Sequence, residues 1–130
     1  SEYNLEPEAT TIFQIWIVPD RGGGEPAWGA KQFPKGDRAG QWSVLASGKG
    51  DDGALMIRAD ARVLGATLKA GESARYASDP ARHLYLVPAE GAVEVNGVEV
   101  NTRDGAAITG LPEITVTALS DAEIVLVDTL

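Results

Sequence analysis

The sequence contains no cysteine and one histidine among its 130 residues. The missing cysteines exclude disulfides, thiolate zinc sites and thiol nucleophiles. No apolar run approaches the roughly 20 residues that a membrane-spanning helix needs, so we expect no membrane partner. The first residues, 1–4, lack the basic start and the apolar stretch of a signal peptide. These absences predict a cytoplasmic protein.

Basic residues are also scarce. The chain has 11 lysines and arginines against 19 aspartates and glutamates, a formal net charge of −8. Proteins that bind nucleic acid usually cluster basic side chains, because release of counterions supplies much of their affinity. Here the basic residues are scattered along the chain, so we predict no nucleic-acid partner.

Glycine and proline, by contrast, are frequent, with 15 and seven residues. They punctuate segments rich in Val, Ile, Leu and Thr, a pattern typical of many short strands. No segment has the periodicity of an amphipathic helix, and Pro80 limits residues 78–82 to a single turn. The predicted strands cover residues 12–18, 41–47, 54–58, 62–69, 83–87, 92–100, 113–118 and 123–127.

Residues 93–100 form the clearest predicted hairpin. Asn96-Gly97 tolerates the two positive φ angles of a type I′ turn, whose twist matches the flanking strands. Glu94 and Glu99 then face each other across the hairpin. Two carboxylates so placed could act in acid–base catalysis, or they could simply lie on the solvent-exposed face of the hairpin. We favour the solvated face, because nothing else reactive surrounds the two carboxylates. Several short antiparallel strands around a hairpin predict an all-β sandwich or jelly-roll barrel.

The first 40 residues differ from the rest. Two loop segments, 21–26 and 35–40, flank Trp28 and Phe33, and Pro26 follows the glycines where a dinucleotide-binding motif would begin a helix. We therefore interpret residues 1–40 as an extended arm and residues 41–130 as the barrel. The uniformly apolar segment 124–127 predicts a central strand that is covered on both faces.

Several segments together resemble the pirin family, whose members contain two cupin barrels in one chain. They are residues 13–19 (FQIWIVP), 47–55 (SGKGDDGAL), 60–63 (DARV) and the closing hairpin. The resemblance implies a cupin jelly-roll barrel, or double-stranded β-helix, with an extended N-terminal arm. It identifies the chain as the C-terminal half of a pirin-like protein, similar to quercetin 2,3-dioxygenases that open the flavonol ring with O2 at a metal.

The opening residues are similar to the end of the family's N-terminal metal motif. The sequence SEYN follows where the family has a histidine, so Glu2 occupies the position of one metal ligand. The histidines that accompany it in the family are missing here. The resemblance thus implies that a divalent metal, such as iron or nickel, binds in the absent N-terminal barrel, and Glu2 is an orphaned ligand.

The remaining barrel also lacks the cupin metal ligands. When the two cupin motifs are counted from their spacing glycines, the ligand positions fall on Ala77, Asp79, Leu84 and Ile108. Three of these are apolar, and one carboxylate cannot hold a transition metal. We therefore expect a barrel filled by side chains, with no complete metal site, no catalytic residues and no cofactor.

Ser78 and Asp79 lie close to His83 in the sequence, so a Ser-His-Asp catalytic triad is one hypothesis. Triad members usually come from separate elements, and the chain has no Gly-x-Ser-x-Gly elbow. We favour a strand cap or an exposed strand edge for His83 over a general base or a ligand contact.

The chain has three tryptophans, Trp16, Trp28 and Trp42. Together they could form a surface on which a flat aromatic ligand stacks. We favour anchors of a core or an interface, the more usual role of tryptophan.

These observations predict a structural and interaction half that packs on the N-terminal barrel and helps to shape its pocket. The chain alone is then inactive, and its arm, with apolar residues such as Ile12 and Trp16, favours a homodimer because unpaired strands attract partners. The alternatives are a stand-alone small cupin that acts as a metal-dependent oxygenase or isomerase, and one that binds a small molecule.

Overall fold

The computed structural model describes residues 3–130. Two sheets form the fold: one has the strand order β2-β1-β3-β10-β5-β8, and the other has the order β4-β9-β6-β7. The strands are β1 Ser43–Ser47, β2 Leu55–Met56, β3 Ala61–Leu68, β4 Ser73–Ala77, β5 His83–Glu90, β6 Val93–Val95, β7 Val98–Val100, β8 Ala106–Thr109, β9 Glu113–Ala118 and β10 Ala122–Thr129. This is the predicted all-β jelly-roll architecture.

Helical structure within residues 3–130 is limited to one 3₁₀ helix, Lys35–Arg38. The sequence predicted a plain loop there. In the same part of the chain, no helix has the length and apolarity needed to cross a membrane.

The core lies between the two sheets. Residues on alternate positions of β3, β5 and β10 point inward from the larger sheet, and those of β6 and β9 point inward from the smaller one. Leu86, Ile114, Val116, Ile124 and Leu126 are fully buried. Apolar side chains therefore fill the space between the sheets, as predicted.

β10 is the central strand of the larger sheet, as predicted. It pairs antiparallel with β3 on one side and with β5 on the other. Its inward residues are buried, whereas outward residues such as Val125 and Val127 are half-buried. The outer face of this strand is therefore only partly covered.

The hairpin of β6 and β7 matches its predicted register, with Glu94 opposite Glu99. Asn96 and Gly97 have φ angles of 47° and 86°, as a type I′ turn requires. Both glutamates are exposed and Val98 is 64% exposed. This supports the solvated-face interpretation of the two carboxylates.

Two strands, β4 and β8, were absent from the sequence prediction. Both lie at the edges of their sheets, where β4 pairs with β9 and β8 pairs with β5. SARYA contains no β-branched residue, and the four-residue AAIT begins with two alanines, a residue type depleted in strands. Pairing with a distant neighbour, rather than local propensity, makes them strands.

The predicted strand over residues 12–18 is wrong. The segment has no ladder partner among residues 3–130, and a strand is defined by such hydrogen bonds. It nevertheless crosses the outer face of the larger sheet. Ile15 and Ile17 share a groove with Ala46 and Val63, and Phe13 lies in another groove beside Val125.

Candidate functional site

The interior positions where the cupin pattern puts metal ligands are apolar in this barrel. Leu84 on β5 lies directly opposite Ile108 on β8. Leu84 is buried, and Ile108 packs against the core. On its other side Leu84 pairs with Asp128 of β10, so this layer of the barrel holds one carboxylate beside two apolar side chains.

The other two predicted positions, Ala77 and Asp79, are exposed at and beyond the end of β4. Side chains alternate between the faces of a strand. Here Ala74 and Tyr76 turn inward, and the hydroxyl of Ser78 is buried. Along β4, the positions counted from the motif are therefore shifted by one residue from those whose side chains point into the barrel.

The donor set does not fit a divalent transition metal. No group of three His, Cys, Asp or Glu side chains within residues 3–130 is arranged to hold a metal ion. Glu2 lies outside the described residues. Iron and nickel need several converging ligands, so no metal chemistry can be assigned to this barrel.

Polar side chains gather at the same end of the barrel. Asp128 is only 1% exposed and accepts hydrogen bonds from Tyr76 Oη at 2.5 Å and from Arg82 Nε. Arg82 Nη1 donates to Asp60 Oδ1 at 2.9 Å, and Lys49 Nζ lies 2.5 Å from the same oxygen. Tyr76 and Arg82 thus stabilise a carboxylate that burial alone would disfavour.

A second group of hydrogen-bonded side chains lies at the end of the barrel that contains Asp128. Arg62 donates two hydrogen bonds to Asp51, from Nε to Oδ2 at 2.7 Å and from Nη2 to Oδ1 at 3.1 Å. Ser47 Oγ also donates to Asp51. Bidentate pairs of this kind are among the strongest side-chain hydrogen bonds. We call the combined set the rim cluster: Ser47, Lys49, Asp51, Asp60, Arg62, Tyr76, Arg82 and Asp128.

Burial and the hydrogen bonds of the rim cluster fix the protonation states of two of its aspartates and of its tyrosine at neutral pH. Hydrogen bonds from Arg62 and then Ser47 lower the pKa of Asp51, and the hydrogen bond from Lys49 lowers the pKa of Asp60. Burial, together with the neighbouring Asp128 carboxylate, raises the pKa of Tyr76. The aspartates Asp51 and Asp60 are therefore ionised while the tyrosine keeps its proton.

A cavity of about 380 Å³ opens at the rim cluster. Its lining includes Lys49, Arg62, Ser78, Arg82 and Asp128. The sequence prediction missed this group. A signal was present, however, because Asp128 continues the alternate, buried positions of Ile124 and Leu126 along β10.

The structure does not assemble the Ser-His-Asp triad. His83 is exposed at the start of β5, where it pairs in register with Thr109 and Thr129. Asp79 Oδ1 accepts the Ala81 backbone N–H at 2.8 Å, which fixes the predicted turn. None of the hydrogen bonds within residues 3–130 joins His83 to Asp79 or to a serine.

The tryptophans do not form a stacking wall. Trp42 packs against the core and meets Tyr76 edge-on, with 6.2 Å between ring centroids. Trp16 and Trp28 are 87% and 92% exposed. Trp42 is therefore a core anchor, whereas an interface role for Trp16 and Trp28 stays a prediction.

The outward side of the arm is an exposed apolar surface. Ile12, Trp16 and Val18 are 61%, 87% and 87% exposed, and we call these three residues the arm strip. Two hydrogen bonds tie Asp20, just beyond the arm strip, to the barrel. The Asp20 N–H donates to Arg58 O at 3.1 Å, and the Asp60 N–H donates to Asp20 Oδ1 at 2.7 Å. These bonds fix the chain directly after the arm strip, whose three side chains are exposed.

Comparison with known proteins agrees with this description. The family model described as the quercetinase C-terminal cupin domain matches residues 44–129. The pirin-like protein of Caulobacter vibrioides is 65% identical over 129 residues, which cover 98% of this chain and 56% of that protein. Quercetin 2,3-dioxygenase of Escherichia coli K12 is 30% identical over 129 residues, covering 98% and 54%.

Solved structures show the same relationship. The structure of YhhW from Escherichia coli matches with a TM-score of 0.81 and 28% identity, covering 88% of this chain and 48% of that one. Bacterial pirin YhhW in complex with nickel(II) matches with a TM-score of 0.80 and 27% identity, covering 88% and 48%. The chain therefore spans about half the length of the relatives it matches.

Proposed function

This chain belongs to the pirin family, and from that membership we propose that it is the non-catalytic C-terminal cupin half of a larger, quercetinase-like protein. In this role it packs on an N-terminal cupin barrel and helps to shape that barrel's pocket. The divalent metal, iron or nickel, and the dioxygenase activity belong to the N-terminal barrel in this proposal.

The observation that carries the proposal is the apolar pair at the ligand positions. Leu84 and Ile108 face each other where a metal-binding cupin would present donor atoms. The only histidine, His83, is exposed on the strand and has no converging partners within residues 3–130. A barrel built this way supports a neighbouring site better than it supports a reaction of its own.

The arm strip supports the packing role. Large apolar side chains that are exposed together mark surfaces that bind another protein surface. Trp16 is the largest of them, and tryptophan is enriched among the residues that dominate binding energy. The share of the relatives that this chain leaves uncovered is also large enough for a second barrel of similar size.

The first experiment is the mass of the polypeptide in its source cell, measured by immunopurification and intact mass spectrometry. The proposal expects a mass near twice the 13.6 kDa of this chain. A native polypeptide of this chain's own mass would contradict the proposal.

A second experiment tests packing through the arm strip. The segment that precedes this chain in the whole protein is co-expressed with it, and co-purification and quercetin cleavage are measured. Trp16→Ser should reduce co-purification at least about tenfold, as loss of an interface anchor does. The matched control is Met56→Ser, which alters an equally exposed apolar residue outside the arm strip. Equal effects of the two variants would contradict this role for the arm.

The proposal also includes a homodimer of this chain when its N-terminal partner is absent, with the arm strip at the contact. Sedimentation velocity should show a dimer that Trp16→Ser dissociates, and a strict monomer would remove this part. A cytoplasmic location is likewise part of the proposal, and cell fractionation tests it.

The alternative of a stand-alone small cupin that binds a small molecule is favoured by one observation, the cavity at the rim cluster. A metal-dependent oxygenase or isomerase is not favoured, because the donor set of the barrel does not fit a metal.

A further inference from the structure

The cavity at the rim cluster has a lining built for polar contacts. Ser78 Oγ is buried there without a hydrogen-bond partner among the described residues, although its own N–H is fixed by Pro112 O at 2.8 Å. A buried hydroxyl without a partner is costly and uncommon in folded proteins. It therefore points to a group that the protein alone does not supply.

The cationic side chains that line the cavity have N–H groups that are not used in hydrogen bonds within residues 3–130. Arg82 is nine-tenths buried, with 10% of its side chain exposed, and it uses Nε, Nη1 and Nη2 once each. A guanidinium carries five N–H donors and an ammonium three. Arg62 uses two donors on Asp51, and Lys49 uses one on Asp60. Each of the three cations thus retains hydrogen-bond capacity.

Cationic side chains outnumber carboxylates among the residues that line the cavity, although the chain as a whole is acidic. Three cations, Lys49, Arg62 and Arg82, line the cavity beside two carboxylates, Asp79 and Asp128. Asp51, which pairs with Arg62, and Asp60, which pairs with Lys49 and Arg82, do not line it. Asp128 already accepts two hydrogen bonds within the protein. The donors that remain therefore favour an acceptor that carries negative charge.

We propose that this cavity binds a small molecule that carries a carboxylate or phosphate group, held by Lys49, Arg62 and Arg82 with Ser78 Oγ as a further donor. Arginine matches both groups because its planar donors suit paired oxygens. The volume of about 380 Å³ lies in the usual range of small-molecule sites. This site does not depend on the proposed packing against a second barrel.

The test is a titration of the ¹⁵N-labelled chain with sodium phosphate and, separately, with sodium succinate, at constant ionic strength set by chloride. We expect saturable amide shifts at Ser78, Ala81 and Arg82 with at least one of the two probes, and the one that binds identifies the chemistry. Ser78→Ala and Lys49→Gln should each raise the dissociation constant at least about fivefold.

The matched control is Arg75→Gln. Arg75 is exposed on β4, makes no ion pair within residues 3–130 and does not line the cavity. Its replacement removes the same charge as Lys49→Gln and should leave the dissociation constant unchanged. Ser78→Ala should fold normally, because the Oγ has no protein partner there to lose. Absence of saturable shifts with both probes, or an equal effect of Arg75→Gln and Lys49→Gln, would overturn the proposal.

Discussion

The barrel and the arm contain similar apolar residues but bury them very differently. Leu86 and Leu126 in the barrel are completely buried, whereas Trp16 and Trp28 in the arm are mostly exposed. Barrel residues have neighbours from two sheets, and their backbones join hydrogen-bonded ladders. The arm contacts one sheet face on one side only. The barrel therefore buries its own apolar side chains, whereas one side of the arm leaves large apolar side chains exposed.

The largest effect should come from the buried carboxylate of the barrel. Asp128→Ala leaves Tyr76 and Arg82 without their shared acceptor, and removing one partner of a buried pair typically costs about 3–5 kcal/mol. Urea unfolding followed by circular dichroism measures this change. Glu94→Ala, an exposed carboxylate on the hairpin, should change the free energy of unfolding by less than about 0.5 kcal/mol. Similar losses for the two variants would mean that the rim cluster does not stabilise the barrel.

A smaller loss of stability is expected when a methyl group is added at Gly48. A Cβ there would lie 1.7 Å from the carbonyl oxygen of Ala59, so the backbone must shift. We expect Gly48→Ala to lose about 2–3 kcal/mol of stability. Gly22→Ala makes the same change in the arm, where nothing lies within 4 Å, and it should be almost neutral. Thermal unfolding of the two variants measures the contrast, and equal melting temperatures would contradict it.

Acid should weaken the barrel through the rim cluster. The pKa of Asp51 is held below its ordinary value of 3.8 by Arg62. A carboxyl group with a lowered folded-state pKa stabilises the fold above its unfolded pKa and loses this contribution as the pH falls through the folded value. The free energy of unfolding should therefore decline below about pH 4.

Asp51→Asn isolates this contribution. It removes the titrating group, so the decline of stability with acid should become shallower than in the original chain. Glu99→Gln, at an exposed hairpin position, should leave the slope unchanged. An unaltered slope in Asp51→Asn would show that the Arg62 pair does not couple acid to unfolding.

The smallest effect on stability should come from the arm strip. Trp16→Ser should change the free energy of unfolding by less than about 0.5 kcal/mol, because the side chain is 87% exposed. The matched barrel change is Leu86→Ala, which should cost about 2–5 kcal/mol through the cavity it leaves. Chemical unfolding of both variants gives the comparison. A large loss in Trp16→Ser would mean that the arm is part of the barrel core.

Much of the fold could be predicted where the local pattern was strong. The hairpin at Asn96-Gly97 has its predicted register because the turn residues select one twist. The edge strands β4 and β8 could not be predicted, because their pairing depends on distant strands. The reverse error occurred at residues 12–18, where a strong β pattern has no partner in the structure.

The candidate site was harder to predict than the fold. Counting the motif spacing selected Leu84 and Ile108, and the structure packs both of them in or against the core. It did not reveal that Asp128, Tyr76 and Arg82 meet at the same end of the barrel, since they belong to separate segments. Asp128 and Tyr76 are 52 positions apart in the chain, yet 2.5 Å separate their oxygen atoms. Spacing rules describe one segment at a time, so they cannot report such a meeting.

Local sequence chemistry was enough to predict the all-β class, the central position of β10 and the hairpin. Each of these follows from neighbouring residues: alternation along a strand, and turn residues that tolerate positive φ. The tertiary structure alone decided which strands form the edges, where the arm lies and how the rim cluster assembles. These depend on contacts between distant segments, whose partners are chosen only when the two sheets pack together.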